Sequence, residues 1–427
     1  MKITREFHAL LAAAVITLSL AAVAQAQTEE VLHSFTGTPD GQYSSGGLLR
    51  DSAGNLYGAT SEGGNTGCGF AGCGTVFELS PQGGQWIETI LYVFPGGGSG
   101  SQPEGSLIAD ADGNLYGVTD SSDPGPGLVY ELVHNSDGSW TPSILWTFTG
   151  GTDGANPIAA LVFDGAGNLY GTTQYGGDLS CGFNGCGVVF ELSPSPGGVW
   201  NETVIHTFEG PDGEVPQSPL VFDAAGNIYG STGEGGTAIS GLCTIGCGVI
   251  FELTHTSGTW EQKVIHNFDF YNGGGPMGNL SLDSAGNLYG TASYGGNANA
   301  ACDRGICGVV FELALNSSGV WRQIRQFNFD STNGASPYAG VVLGSAGHIF
   351  GTTYAGGDLS CGSNGCGVAF GLTPTATSWT EEVLHVFGSG NDGVKPAGTV
   401  ILDPKGNIYG TTVFGGISYG TVFEINP

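Results

Sequence analysis

The chain has 427 residues, of which 38 are acidic and only 9 are lysine or arginine, so its formal net charge is −29. A surface this acidic repels nucleic acid and anionic lipid, and no basic segment offsets it, so we expect no nucleic-acid partner. The charge indicates a soluble protein first, and a surface that attracts cations second.

The first 26 residues have the pattern of a signal peptide. Lys2 and Arg5 precede an apolar run over residues 9–24, and Ala24-Gln25-Ala26 matches a cleavage site. We therefore expect a mature protein that is secreted, either to the periplasm or to the extracellular space. A second apolar run does not follow, so we expect no membrane span.

One motif recurs seven times in residues 27–427, which we therefore predict to form a single domain. Gly-Asn-Leu-Tyr-Gly, with Ile for Leu in two copies, lies at residues 54–58, 113–117, 167–171, 226–230, 286–290 and 406–410, and a decayed copy, Gly-His-Ile-Phe-Gly, lies at 347–351. Copies are 54 to 61 residues apart. A fixed period of this length is typical of a repeat architecture.

Each repeat contains four short apolar runs of strand length, which we call runs a to d. In the third repeat they are Leu161–Asp164, Leu169–Thr173, Val188–Leu192 and Trp200–Phe208. They are rich in β-branched and aromatic residues, and turn residues separate them. Four antiparallel strands repeated seven times predict an all-β, seven-bladed β-propeller.

The two ends of the chain predict how the ring closes. Residues 30–35 match the d run at 382–387, and the last run, residues 420–424, is a c run. We therefore expect the N-terminal strand to complete the last blade, which removes two open sheet edges. A linear β-solenoid is the alternative architecture.

The repeat resembles the Gloeo/Verruco (GloVer) tandem-repeat family of exported bacterial β-propeller-like proteins. The resemblance rests on Gly-Asn-Leu-Tyr-Gly-Thr-Thr, on the Gly-Gly pair that follows it, and on Gly-x-Val-Phe-Glu-Leu. It covers essentially the whole chain after the leader. It implies no established catalytic residues.

Ten cysteines form five pairs, each inside one b–c loop. The pairs are Cys68/Cys73, Cys181/Cys186, Cys243/Cys247, Cys302/Cys307 and Cys361/Cys366. Each pair is present or absent together with its own loop, so we expect five local disulfides in an exported protein. The alternative is zinc, for which two pairs from neighbouring blades would have to converge.

Strand alternation places the b–c and d–a loops on one face of the disc. We expect a ligand on this face and at the mouth of the central channel. The acidic residues of this face are Asp40, Glu62, Asp153, Asp178, Asp212, Glu234, Asp303, Asp358 and Asp392. They could bind Ca²⁺, whereas a solvated acidic rim is the simpler interpretation; we expect no other cofactor. The calcium-like sequence at 110–114 lies in the a–b turn and predicts a hairpin instead.

Two repeat positions predict structural contacts. His33, His206, His266 and His385 share one position of run d, which we assign to Tyr92, Trp146 and Arg325 in three other repeats, and this mixture indicates packing between blades. Tyr57 should face Glu78 across the b–c hairpin, and the same pair recurs in six repeats. The sixth repeat has Phe350 and Gly371 instead.

These patterns favour an exported binding or adhesion scaffold that is not an enzyme. We expect a monomer with an extracellular ligand, either a glycan or a protein. The alternatives are a propeller hydrolase or lyase acting on glycans or peptides, and a calcium-dependent lectin-like module. Since the fold supports all of these, only the site can decide.

Overall fold

The computed structural model describes residues 28–427, except 122–124, 182–183, 238–242, 297–306, 389 and 418. Seven four-stranded antiparallel sheets form the blades of a β-propeller, which confirms the predicted fold. We number the blades in the order of their b runs. In every blade the four strands follow the order a, b, c, d across the sheet.

Each blade, from blade 1 to blade 7, contains one strand of each kind. The a strands are Leu49–Arg50, Ser101–Ala109, Val162–Phe163, Val221–Phe222, Ser281–Leu282, Val342–Leu343 and Ile401–Leu402. The b strands are Leu56–Thr60, Leu115–Ser121, Leu169–Thr173, Ile228–Glu234, Leu288–Ala292, Ile349–Thr353 and Ile408–Thr412. The c strands are Thr75–Gln82, Leu128–His134, Val188–Ser195, Val249–Thr256, Val309–Leu315, Val368–Pro374 and Thr421–Asn426. The d strands are Gln85–Val93, Trp140–Thr147, Val199–Thr207, Thr259–Asn267, Trp321–Asn328, Trp379–Val386 and Thr28–Ser34.

Short elements decorate the loops. Glu214–Pro216 pairs with the b strand of blade 4, Gly41–Gln42 pairs with Glu62–Gly63, and Gly393–Val394 pairs with Phe414–Gly415. Single 3₁₀ turns lie at Gly69–Ala71, Gly97–Ser99, Leu179–Cys181, Ser345–Gly347 and Leu359–Cys361. Among the described residues, no helix is both long enough and apolar enough to span a membrane.

The N-terminal strand closes the ring as predicted. Thr28–Ser34 pairs antiparallel with Thr421–Asn426, so that Val31 lies opposite Phe423 and His33 lies opposite Val422. A bulge at Leu32 separates these two pairs. The first and last strands therefore belong to one sheet, and a solenoid is excluded.

A phenylalanine stack joins neighbouring blades. The phenylalanine that follows each d strand packs edge-to-face against an aromatic residue in the c strand of the next blade, with ring centroids 5.1–5.2 Å apart. The pairs are Phe35–Phe77, Phe94–Tyr130, Phe148–Phe190, Phe208–Phe251, Phe268–Phe311, Phe329–Phe370 and Phe387–Phe423. These seven d-strand phenylalanines are almost fully buried, so the core lies between blades.

The second glycine of the repeat motif makes room for this stack. A Cβ added to Gly171 would lie 2.6 Å from Phe190 Cζ, and one added to Gly58 would lie 2.5 Å from Phe77 Cζ. Real side chains do not approach this closely, so the position requires glycine for packing. The repeated Gly-Asn-Leu-Tyr-Gly motif thus combines a turn at its start with a ring contact at its end.

The assignment of Arg325 to the shared histidine position is wrong. In blade 3 the d-strand bulge falls at Ile205, and His206 faces Val189. In blade 5 the equivalent residue is Phe327, which faces Val310, while the bulge falls at Ile324 and Arg325 faces Glu312, with which it forms an ion pair. Tyr92 and Trp146 pack against hydrophobic clusters that include residues of the next blade, as expected. His206 contacts Phe208 of its own blade edge-to-face.

Local disulfides staple the b–c loops. Cys68–Cys73, Cys181–Cys186, Cys243–Cys247 and Cys361–Cys366 are joined with Cα atoms 5.2–5.5 Å apart, a separation that suits a disulfide. Each bond stays inside its own loop, which excludes shared zinc sites for these four pairs.

The fifth predicted pair can be followed only at one end. Cys307 is buried and disulfide-bonded, but Cys302 lies outside the described residues, so the pairing of Cys302 with Cys307 stays a prediction. Asp303 and the predicted signal peptide, residues 1–26, also lie outside the described residues.

Candidate functional site

Every d–a loop ends in a strained residue beside the central channel. The residues are Tyr43, Gln102, Asn156, Val215, Gly275, Ser336 and Lys395, with φ of 52–62°. Six of them are not glycine, and six precede proline. A side chain in this left-handed region costs about 1–3 kcal/mol, so the surrounding structure must impose the conformation.

A hydrogen bond to the preceding blade holds each of these seven residues in the left-handed conformation. The residue donates its N–H to a carbonyl in the b–c loop of that blade, at 2.6–3.0 Å in all seven cases. In five cases that carbonyl belongs to the second cysteine of the loop, for example Cys186 for Val215. Pro126 and Tyr419 serve in the two blades without cysteines. Each disulfide-bonded b–c loop therefore holds the channel-facing segment of the next blade through this hydrogen bond.

The residues that follow this turn enclose a central cavity of about 480 Å³ to which all seven blades contribute. One repeat position in its wall carries seven different residues, namely Ser45, Glu104, Ile158, Gln217, Met277, Tyr338 and Ala397. The next position is always small, and backbones meet there: a Cβ added to Gly46 would lie 2.1 Å from Gly105 O. The positions that build the blades are therefore nearly alike in every repeat, whereas the position that faces the central cavity differs from blade to blade.

Two carboxylates of blade 2, Glu104 and Asp120, line this cavity at positions where no other blade has an acid. Ser45 Oγ donates a 2.5 Å hydrogen bond to Glu104 Oε2. Asn156 Nδ2 donates to Asp120 Oδ1 at 2.9 Å. Burial raises the pKa of Glu104 to about 7, and the charge of Asp120 acts in the same direction. Since no other blade has an acid at either position, these are the acids that the sequence reasoning missed.

The rest of the cavity wall is polar and aromatic. Gln174, Gln217 and Asn279 contribute amides, and Tyr338 packs edge-to-face on Tyr354 with ring centroids 5.1 Å apart. Amides both donate and accept hydrogen bonds, and carboxylates accept them. The cavity can therefore bind a ligand that carries several hydroxyl or amide groups.

None of the predicted acidic rim residues that the structure describes lines the central cavity, and most of them cap turns. Asp40, Asp153, Asp212 and Asp392 accept backbone N–H bonds within their d–a turns. Asp178 and Asp358 accept from Ser180 and Ser360, and Glu62 accepts from Gln42. Glu234 lies opposite Glu214. Their part in ligand binding, including Ca²⁺ binding, stays a prediction, whereas Asp110 confirms the hairpin interpretation by accepting from Asp112 N and Asn114 N.

The predicted tyrosine–glutamate pairs are structural. The tyrosine hydroxyl donates to the facing glutamate at 2.8–3.2 Å in five blades, and in blade 3 Tyr170 lies opposite Glu191 and donates to Asp164. Phe350 lies opposite Gly371 in blade 6, so both partners are lost together. Burial, followed by the charge of Glu424, raises the pKa of Tyr409 to about 12, which keeps this hydroxyl a donor.

A second cavity, of about 790 Å³, lies between blades 1 and 2 on the opposite face. Arg50, His134 and Trp140 line it, together with residues of the repeated a–b turn and of the Tyr57–Glu78 pair. Most of this wall consists of positions that recur in other blades. The central cavity is therefore the stronger candidate for a specific site.

Solved structures share this fold at low sequence identity. The extracellular domain of a putative hybrid two-component system from B. thetaiotaomicron matches with a TM-score of 0.53 and 15% identity, over 94% of this chain and 41% of that one. A protein from Lactobacillus plantarum matches with a TM-score of 0.51 and 15% identity, over 79% of this chain and 84% of that one. The chain thus spans less than half of the first of these proteins. No curated protein matches the chain in sequence.

The sequence itself identifies the family. The model of the Gloeobacter/Verrucomicrobia repeat matches residues 15–244 and 240–427, which together span nearly the whole chain. This agrees with the seven-fold motif and with the b–c hairpin that the motif builds. The chain belongs to the Gloeobacter/Verrucomicrobia repeat family.

Proposed function

We propose that the chain is an exported binding protein whose central cavity holds a small polar ligand or the polar end of a larger one. The observation that carries this proposal is the wall position at which seven blades supply seven different residues. The phenylalanine that follows each d strand packs between blades and is the same in all seven repeats, whereas this position faces the cavity and differs in each repeat. The disulfides support export, because such bonds persist in oxidising compartments.

The chemistry of the cavity favours a neutral glycan end. A volume of about 480 Å³ is in the range of small-molecule sites, which hold about 300–1,000 Å³. Glu104 and Asp120, with a net charge of −29 over the chain, repel anionic ligands. Amides and carboxylates match sugar hydroxyls, and Met277 and Tyr338 offer apolar surface to a sugar ring. A peptide end is the other polymer terminus that such a cavity could accept.

Catalysis is the second candidate, and one observation favours it. Glu104 has a pKa raised to about 7 beside the charge of Asp120. Glycoside hydrolases use a pair of carboxyl groups, one as acid and the other as base or nucleophile, and the acid is a group whose pKa its surroundings raise. We rank it second because, among the described residues of the cavity wall, Tyr338 is the only titratable residue besides this pair, and no histidine, lysine or further carboxylate accompanies it.

A glycan array followed by calorimetry tests both functions. The mature chain, residues 27–427, is screened with Ca²⁺ and with chelator, and the best glycan is titrated into Glu104→Gln, Asp120→Asn and Asp178→Asn. We expect the first two variants to weaken binding at least about tenfold, which corresponds to about 1.4 kcal/mol, and the third to bind normally.

The same experiment separates the alternatives. Cleaved glycan in the wild-type reaction, absent with Glu104→Gln, would establish the hydrolase instead. Binding that is lost in Asp178→Asn, or only in chelator, would place the ligand on the acidic rim and contradict the cavity site. No binding of any glycan or peptide would refute the proposed function.

A further inference from the structure

The ring-closing strand Thr28–Ser34 has a cluster of one imidazole and two carboxylates on each side. Toward blade 1, His33 meets Asp40 and Glu88. Toward blade 6, Glu29 meets His385 and Asp392. In each cluster, one nitrogen and two carboxylate oxygens lie within 4.8 Å of one another.

The two clusters are one arrangement used twice. Each combines the d-strand histidine of one blade, the acid of the following d–a loop, and a d-strand residue of the next blade that lies four positions before that blade's histidine position. Four other blade interfaces have a polar residue at the same loop position, but at least one of their three positions holds a residue other than histidine, aspartate or glutamate. From the blade 2–3 interface to the blade 5–6 interface, the three residues are Trp146, Asp153 and Glu202; His206, Asp212 and Gln262; His266, Asn272 and Gln323; and Phe327, Asn333 and Glu381. Only the two interfaces of the N-terminal strand carry all three metal-binding side chains within the described part of the chain.

The spacing in the first cluster suits an ion better than hydrogen bonds. His33 Nε2 lies 3.4 Å from Asp40 Oδ2 and 3.5 Å from Glu88 Oε1. Charge-assisted N–H···O bonds measure about 2.7–2.9 Å. Ligand atoms bound at about 2.1 Å to a tetrahedral Zn²⁺ stand about 3.4 Å apart. His33 Nε2 and Glu88 Oε1 are buried and lack a hydrogen-bond partner, whereas Asp40 Oδ2 also accepts from Thr36 N and Thr36 Oγ1.

The second cluster is tighter, because His385 Nε2 is hydrogen-bonded to Asp392 Oδ2 at 3.1 Å. Glu29 Oε1 and Asp392 Oδ1 are buried and lack a hydrogen-bond partner. A buried carboxylate oxygen without a donor is costly, and a cation would satisfy it. These oxygens and the imidazole form an incomplete shell to which one or more waters could be added.

The ligand set selects the kind of metal. Imidazole suits Zn²⁺ and similar transition metals, whereas Ca²⁺ prefers a shell made of oxygen atoms. Two carboxylates with a neutral imidazole carry two negative charges, which a divalent ion neutralises. The side chains of His33, Asp40 and Glu88 remain 19%, 11% and 16% exposed, so an ion can reach them from solvent.

We propose that these clusters are two Zn²⁺-type sites that fasten the ring-closing strand to blades 1 and 6. The ion in the second cluster would join Glu29 to residues about 360 positions later, and the ion in the first would join His33 to Glu88 of blade 1. Both lie at the seam that otherwise depends on strand pairing and packing. Since such ions bind the closed ring and not the unfolded chain, they stabilise the closed ring.

Calorimetric titration of Zn²⁺ and Co²⁺ into the chelator-treated mature chain tests the proposal. We expect two ions per chain, one in His33→Gln, and none in His33→Gln/His385→Gln. The matched control is His206→Gln, because His206 bonds Asp212 at 2.9 Å but Gln262 stands where the third ligand would be. That variant should keep both sites. Saturating Zn²⁺ should raise Tm by roughly 5 °C in the wild type and not in the double variant.

Three results would overturn the proposal. The first is no Zn²⁺ or Co²⁺ bound more tightly than about 10 μM. The second is an unchanged number of ions in a double variant that keeps the wild-type circular dichroism and metal-free Tm. The third is stabilisation by Ca²⁺ but not by Zn²⁺. If the histidine variants fail to fold, Glu88→Gln and Glu29→Gln must each remove one ion, and retention of both ions counts against the sites.

Discussion

Phe208 of blade 3 packs edge-to-face against Phe251 of blade 4, with ring centroids 5.2 Å apart, and both rings are fully buried. The same contact recurs at all seven blade interfaces, so it is the main repeated link between sheets that share no strand. We predict that Phe208→Ala lowers the free energy of unfolding by about 3–5 kcal/mol, because it leaves a cavity that two rigid sheets cannot close. Urea unfolding measures this loss.

The control for that substitution is Val199→Ala on the d strand of the same blade. Val199 is 59% exposed, so the change should cost less than about 0.5 kcal/mol. Equal losses for the two variants would mean that the stack contributes nothing beyond strand propensity.

The two glycines Gly165 and Gly171 of the third repeat should respond in opposite ways to alanine. A Cβ on Gly171 would meet Phe190 Cζ at 2.6 Å, whereas nothing lies within 4 Å of a Cβ on Gly165. We predict that Gly171→Ala costs about 1–3 kcal/mol of stability through overpacking, and that Gly165→Ala is neutral or slightly stabilising. Thermal unfolding of both variants checks this. A Gly171→Ala protein as stable as the wild type would show that the ring can move aside.

The Tyr229–Glu252 hydrogen bond of 3.0 Å should be measurable as a coupling energy. Tyr229→Phe leaves the partly buried carboxylate with one donor fewer, so we predict a loss of about 1–3 kcal/mol. A double-mutant cycle with Glu252→Ala should give a coupling of at least about 0.5 kcal/mol. Phe350→Tyr is the control, since Gly371 offers it no carboxylate and no gain is expected. If the stability losses of the two single variants add up to that of the double variant, the pair is not a stabilising contact.

The arrangement of blades and loops could be predicted from the sequence for a physical reason. Strand alternation and the seven-fold motif determine which loops share a face, and pairs such as Cys68 and Cys73 are confined to one short loop. The central site could not be predicted from the repeated motif, because Glu104 and Asp120 lie at positions whose residue varies from repeat to repeat. Comparing repeats for the most varied position, instead of the most uniform one, would have identified Glu104. Arg325 does not share the position of His206, because His206 lies six residues after Trp200 and the residue six after Trp321 is Phe327, which the sequence alone could have revealed.

The partly buried Glu202 should make stability depend on pH. Burial raises its pKa to about 7, and the charge of Asp153 adds to the shift. The folded state therefore holds the proton more tightly than the unfolded state, in which the pKa is near 4.5. The contribution of Glu202 is fully present below about pH 4.5 and is lost as pH rises through about 7. Glu202→Gln removes this loss, as Gln262 and Gln323 do at the same position of blades 4 and 5.

We accordingly predict that Glu202→Gln is more stable than the wild type by about 1 kcal/mol at pH 8, after allowance for solvent screening, and equal to it at pH 4. Urea unfolding of both proteins from pH 4 to pH 8 measures the difference. The control is Glu209→Gln, an exposed residue just after the same d strand, whose substitution should leave the stability difference small and unchanged from pH 4 to pH 8. A stability difference that stays constant across this range would mean that Glu202 keeps an ordinary pKa in the folded protein, because only a shifted group makes the difference vary with pH.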